Sequence, residues 1–122
     1  MALQLTRLPI DDLLPNIIKD IQNSNSLILQ ATPGAGKTTR VPPALLNLFK
    51  GKILVLEPRR LATKLSAERV AQELNETCGE TIGYQVRFDK VDSNKTKIKY
   101  ITEGIFSIFI LSDSTFKDIS CV

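Results

Sequence analysis

Ala31-Thr32-Pro33-Gly34-Ala35-Gly36-Lys37-Thr38 decides how the rest of the chain is read. Its spacing is that of a phosphate-binding loop, with Ala31 where the usual pattern has its first Gly; a small residue still permits the turn. Gly34 and Gly36 leave consecutive backbone N–H groups free to converge on one anion with no side chain in the way. Lys37 supplies a point charge for the β and γ phosphates, and the Thr38 hydroxyl is placed to ligate Mg²⁺. The stretch Thr32, Pro33, Gly34, Ala35, Gly36, Lys37, Thr38 and Thr39 is therefore the candidate ATP site, with Lys37 and Thr38 as its chemically active side chains. The bland alternative is a Gly/Pro turn carrying a solvent-facing Lys. Context opposes it. Ser26–Gln30 is a short, mostly apolar run expected to be a strand, and a helical pattern follows Lys37. Strand, loop, helix is the setting the motif requires.

Outward from the loop, strands and helices alternate. Ile10, Leu13, Leu14, Ile17, Ile18 and Ile21 recur at helical spacing, predicting a lead-in helix to about Asn23, with Pro15 blurring its start. A helix from about Gly36 to Phe49 is expected to be kinked or shortened by Pro42-Pro43. Lys52–Glu57, bounded by Gly51 and Pro58, reads as a strand buried on both faces. Arg60 to about Glu76 reads as a helix with Leu61, Leu65, Val70, Ala71 and Leu74 inward. Thr81–Val86 and Thr96–Thr102 read as strands joined by a polar loop over residues 89–95. Glu103 to about Leu111 is a short apolar helix, and Ile119–Val122 begins a further strand. Such alternation after a phosphate loop predicts an α/β fold, a doubly wound, mostly parallel sheet with flanking helices and the loop at the ligand-binding edge. Residues 1–24 are expected as a lead-in, and 25–122 as the nucleotide-binding domain.

Composition sets the limits. The 122 residues suit one domain, and the net charge of +3 permits nucleic-acid binding without demanding it. The chain has no His, so His-based acid–base chemistry and Cys/His zinc sites are excluded within it. Cys78 and Cys121 are far apart and are expected as unpaired thiols, fitting a reducing compartment. No basic leader with an apolar core and no apolar stretch near ~20 residues is present, so a cytoplasmic, membrane-free setting is expected.

Several segments carry a family resemblance. Glu57-Pro58-Arg59-Arg60-Leu61-Ala62 is similar to motif Ia of the DEAH-box helicases of superfamily 2. Gly83-Tyr84-Gln85-Val86-Arg87-Phe88 resembles the G-Y-x-x-R-F signature of that group, and Thr102-Glu103-Gly104 resembles its motif Ib. Gly36-Lys37-Thr38-Thr39-Arg40-Val41-Pro42 resembles the loop and helix start of the HrpB-like branch. Each short motif alone is weak; their order along nearly the whole chain is specific.

The resemblance implies a RecA-like P-loop NTPase fold and an ATP- and Mg²⁺-dependent helicase acting on nucleic acid, RNA ahead of DNA. It implies that Arg69 stacks on the adenine ring, as a planar, weakly hydrated guanidinium can, against the alternative of a solvated pair with Glu73. It implies phosphodiester contacts from Arg59 or Arg60, with one of the two bracing the loop, and from Thr102 and Gly104, against a plain helix cap at Thr102. Arg87 either touches RNA or braces the Arg59-Arg60 loop. Tyr84 and Phe88 are expected in the core. In the family a strand like Ile119–Val122 runs into an Asp-Glu-x-His box and is followed by a second RecA-like domain. The resemblance thus implies an N-terminal fragment that binds nucleotide weakly and does not hydrolyse it. A P-loop kinase or another nucleotide phosphotransferase, and a non-catalytic ATP-binding domain, remain as other readings of the loop.

Overall fold

The apolar run at residues 52–57 forms the strand that organises the sheet. In a computed structural model, which describes residues 7–112 and 117–122, a 3₁₀ turn (Pro9–Leu13) leads into helix α1 (Leu14–Asn23). After the loop come α2 (Lys37–Ala44), β1 (Lys52–Glu57), α3 (Arg60–Glu73), β2 (Ile82–Val86), β3 (Asp89–Val91), β4 (Ile98–Thr102), α4 (Glu103–Ser112) and β5 (Ile119–Cys121). The strands lie in the order β3-β2-β4-β1-β5. β1 pairs with β4 in parallel from Ile53↔Ile98 to Glu57↔Thr102, and β4 pairs with β2 in parallel from Ile82↔Ile98 to Gln85↔Ile101. Only β3 runs antiparallel, as the second arm of a hairpin with β2.

Alternation along these strands sends side chains to two separate cores. Ile53, Ile82, Tyr84, Ile98 and Tyr100 face α2 and α3, meeting Leu45, Ala67, Val70 and Ala71. Leu54 and Ile101 face the other way, onto Ile105 of α4. Helices therefore cover both faces, as a doubly wound sheet requires. The mutually parallel β1, β2 and β4 end at one edge of the sheet, where their C-terminal loops meet.

Four expectations are corrected. Ser26–Gln30 forms no strand: Ile28 is 95% exposed, and the run has no sheet partner among the described residues. A strand needs paired backbone groups on a neighbour, and the nearby edge, β5, is three residues long with a register shift against β1. The run instead lines a wide cleft with Ile17, Ile21, Val41 and Cys121. Second, part of the polar loop after β2 is strand β3, because Arg87-Phe88 makes a tight turn that folds Asp89–Val91 back on Tyr84–Val86.

Third, Leu61 and Leu65 of α3 face solvent, at 68% and 53% exposure. The inner stripe is Thr63, Ala67, Val70 and Ala71, at a strict three-to-four spacing, with Leu74 packed beside it. The small residues let α3 sit close on the sheet, so size misled where period did not. Fourth, Phe88 is 88% exposed and left-handed, with φ 68°, whereas Tyr84 is buried as expected. Phe88 occupies the turn itself, where no core is within reach. Cys78 and Cys121 are free thiols, both with pKa raised by burial. No helix among the described residues is long and apolar enough to cross a membrane.

Candidate functional site

The loop is shaped by its glycines. Gly34 has φ 82° and Gly36 φ 104°, a left-handed backbone that L-residues avoid. Ala31 is not among the left-handed residues, which is why that position tolerates a methyl group. A Cβ on Gly36 would come within 2.8 Å of Leu8 Cδ1 and 3.0 Å of Ile10 Cγ2. The lead-in segment is thus packed directly against the loop, and the Ile10 amide donates to the Ala35 carbonyl at 3.0 Å. Ile10 is itself buried, so this clamp is a fixed part of the fold.

Gly36 is the N-cap of α2 and makes no side-chain cap. The first amides of α2, on Lys37, Thr38 and Thr39, consequently have no carbonyl to reach within the helix and face the loop opening. Lys37 Nζ donates to the Ala31 carbonyl at 2.8 Å, holding the ammonium across the mouth of the loop. The Ala35 amide closes a turn onto the Thr32 carbonyl at 3.1 Å, so Ala35, which lies within the candidate ATP site, can donate to a phosphate only when that turn opens.

Beside the loop lies a cleft bounded by Leu8, residues 33–39, Arg69 and Glu73. Sequence reasoning named Arg69 for this place, and the structure brings it to the rim, 62% exposed and 3.5 Å from Glu73. Glu73 is nearly buried, and the same carboxylate oxygen lies 3.4 Å from Arg40 of α2. Arg40 in turn bonds Asp11 at 2.8 Å. This strap ties the 3₁₀ turn, α2 and α3 together around the loop. Arg40 and Glu73 were not singled out as site residues; only the tertiary packing makes them neighbours. Buried pairs of this kind fix geometry more reliably than they add stability.

Arg59, Arg60 and Arg87 gather at the shared edge of the sheet. Arg59 is the extended N-cap of α3, and its carbonyl accepts from both the amide and the hydroxyl of Thr63. Arg60 Nη2 donates to the Arg87 carbonyl at 3.1 Å, binding the hairpin turn to the start of α3. The hairpin is held again by Lys64, 3.6 Å from Asp89, and by the Tyr84 hydroxyl, which donates to Asp89 at 2.9 Å. The Arg87 guanidinium lies 4.9 Å from the ring centre of Phe88. Thr102, in register with Glu57 of β1, ends β4 on the same side, and Gly104 is exposed with open space around its Cα. One face of the molecule thus carries exposed cations at the end of a parallel sheet, a setting suited to a phosphodiester backbone.

These residues fit a nucleoside triphosphate with Mg²⁺. The left-handed glycines clear a concavity, helix amides point into it, and a cation and a hydroxyl stand at adjacent positions.

No family model matches this chain. Individual proteins do. The chain is 40% identical over 105 residues to the ATP-dependent RNA helicase DHX33 of Drosophila melanogaster, covering 84% of the chain and 15% of that protein. It is 35% identical over 120 residues to the ATP-dependent RNA helicase HrpB of Escherichia coli, covering 97% of the chain and 15% of that protein. A crystal structure of Escherichia coli DEAH/RHA helicase HrpB superposes with a TM-score of 0.87 at 34% identity, over 93% of the chain and 15% of that structure. The chain therefore spans about 15% of the length of these relatives. Motif order, sequence identity and backbone agree, and the chain belongs to the DEAH-box helicase family, in its HrpB-like branch.

Proposed function

We propose that this chain is the ATP-gripping part of an ATP-dependent RNA helicase, residues 25–122 forming most of a first RecA-like domain and residues 1–24 a lead-in. The observation that carries the reading is the phosphate loop: two left-handed glycines, an uncapped helix start and Lys37 converge beside Arg69. Gly34, Gly36, Lys37, Thr38 and Thr39 would hold the phosphates through backbone amides, with Lys37 adding charge and Thr38 holding Mg²⁺. Bound Mg²⁺ neutralises the charge on the β and γ phosphoryl groups. Arg69 would lie against the base, oriented by Glu73. Arg59, Arg87, Thr102 and Gly104 would contact the nucleic-acid backbone, which is consistent with weak sequence preference, while Arg60 braces the hairpin.

Among the described residues, Glu73 is the only carboxylate lining the cleft, and two guanidiniums engage it. This supports nucleotide binding without hydrolysis by these 122 residues alone, with the acid box of the first RecA-like domain and the whole second RecA-like domain supplied by a longer chain.

The test has two arms. The purified 122-residue chain should bind Mg-ADP weakly, lose that binding in Lys37→Ala, and show no ATP turnover. The full-length protein should hydrolyse ATP faster when RNA is added. An ATPase rate indifferent to RNA and DNA would overturn the helicase reading in favour of a phosphotransferase. Turnover by the 122 residues, abolished by Lys37→Ala, would overturn the division of labour.

A further inference from the structure

Pro42 and Pro43 sit inside α2, the helix that begins at the phosphate loop. A proline has no N–H and its ring crowds the carbonyl four residues back. The carbonyl of Thr38 therefore cannot receive the helical bond that residue 42 would normally give. Thr38 is also the residue whose hydroxyl would hold Mg²⁺. An orphaned carbonyl beneath that hydroxyl would leave the first turn of the helix loosely seated, because a buried carbonyl without a partner costs free energy comparable to a lost hydrogen bond.

The structure fills the vacancy from the sheet. Tyr100, in the middle of β4, is fully buried, and its hydroxyl donates to the Thr38 carbonyl at 2.7 Å. Its ring is fixed on both sides by the parallel ladder, opposite Val55 of β1 and Tyr84 of β2. The donor thus comes from a strand paired on both sides within the sheet, 62 residues away in sequence.

We infer that Tyr100 is a positioning residue for the nucleotide site: its hydroxyl replaces the amide that Pro42 lacks and thereby sets the height and tilt of Thr38 at the mouth of the loop. This rests on the proposed function of the loop. The proline frees the carbonyl to turn toward the sheet, and the tyrosine captures it. The two residues form one device, in which the first turn of α2 is anchored to β4 rather than to its own next turn.

The test uses Tyr100→Phe, which keeps the ring and removes the donor. Affinity for Mg-ADP should fall roughly three- to tenfold, the scale of one hydrogen bond. Affinity for ADP without Mg²⁺ should fall less, because that complex loses only the seating of the Thr38 amide and not also that of the Mg²⁺ ligand. Pro42→Ala restores an amide at position 42, so Tyr100→Phe combined with Pro42→Ala should recover most of the lost Mg-ADP affinity. A merely structural Tyr100 would weaken binding equally with and without Mg²⁺, lower the unfolding temperature in step, and show no such rescue; that pattern would overturn the inference. Wild-type affinity in Tyr100→Phe would do the same, provided Lys37→Ala still abolishes binding. Should Lys37→Ala bind like wild type, the nucleotide reading falls and this role falls with it. The carbonyl-carbon resonance of Thr38, recorded without nucleotide, separates the two failures: it should shift in Tyr100→Phe, and an unmoved resonance would refute the anchor itself.

Discussion

Gly34 and Gly36 occupy the same loop and the same left-handed backbone region, yet they are constrained differently. A Cβ on Gly34 meets nothing within 4 Å, whereas one on Gly36 strikes Leu8 and Ile10. Gly34→Ala should therefore cost only the backbone penalty, about 1–2 kcal/mol. Gly36→Ala adds displacement of the lead-in segment and should cost roughly 1–3 kcal/mol more, as overpacking does. Urea unfolding of the two variants checks the difference; equal losses would show that the lead-in does not press on the loop. The glycines and Lys37 were legible from the sequence because a phosphate cradle demands particular residue types at particular spacings. Tyr100 was not, because nothing in a strand's local pattern tells which carbonyl its hydroxyl will meet. Arg40 and Glu73 were hidden for the same reason, their partners lying on other elements.

Helix α3 shows how an element can be found correctly and its inner face read only in part, with Val70, Ala71 and Leu74 inward as expected and Leu61 and Leu65 outward. Its existence followed from its helical pattern, but its inner stripe is the small set Thr63, Ala67, Val70 and Ala71. Ala67 is fully buried against the sheet core. Ala67→Leu should destabilise the fold by about 1–3 kcal/mol, because extra methylenes in a filled interface force strain. Leu65→Ala, at an exposed position, should change stability by less than about 0.5 kcal/mol. Urea titration distinguishes these outcomes, and a costly Leu65→Ala with a neutral Ala67→Leu would mean the helix is rotated from its described setting. In α2, Pro42-Pro43 announced a short helix, and the helix ends at Ala44. The β2–β3 hairpin was missed because its turn, Arg87-Phe88, lacks glycine. Phe88 takes the left-handed conformation all the same, held by the Arg60 and Lys64 contacts on either side of it.

Across the molecule, the buried groups set an alkaline limit. The chain has two tyrosines. Burial first, and then the hydrogen bond to Asp89, push Tyr84 up to about 12 from 10.0, and burial raises Tyr100 further. The folded chain therefore holds phenolic protons that the unfolded chain releases. The stability this supplies is complete below about pH 10 and is lost as pH rises toward 12 and beyond. The raised thiols of Cys78 and Cys121 act in the same sense, while Lys99, lowered by burial against the pull of Asp92, acts in the opposite one. Urea titrations across this range should show stability falling, with tyrosinate absorbance appearing together with unfolding. Tyr84→Phe should flatten the fall between pH 10 and 12; an unchanged slope would assign the alkaline limit elsewhere.

At this level too the two kinds of information separate. Local chemistry, written in residue types and spacings, determined the Gly-rich loop that leads into α2 and most of the alternation of elements, from which the doubly wound class followed, because turns and helical or strand periods depend on residues only a few positions apart. Tertiary structure alone decided that Ser26–Gln30 stays out of the sheet, that β3 closes its edge, and that Tyr100 anchors Thr38. It also brought Arg69, Glu73, Arg40 and Asp11 together around one cleft. These outcomes depend on which distant backbone edges and side chains become neighbours, and that is determined by packing the whole chain at once.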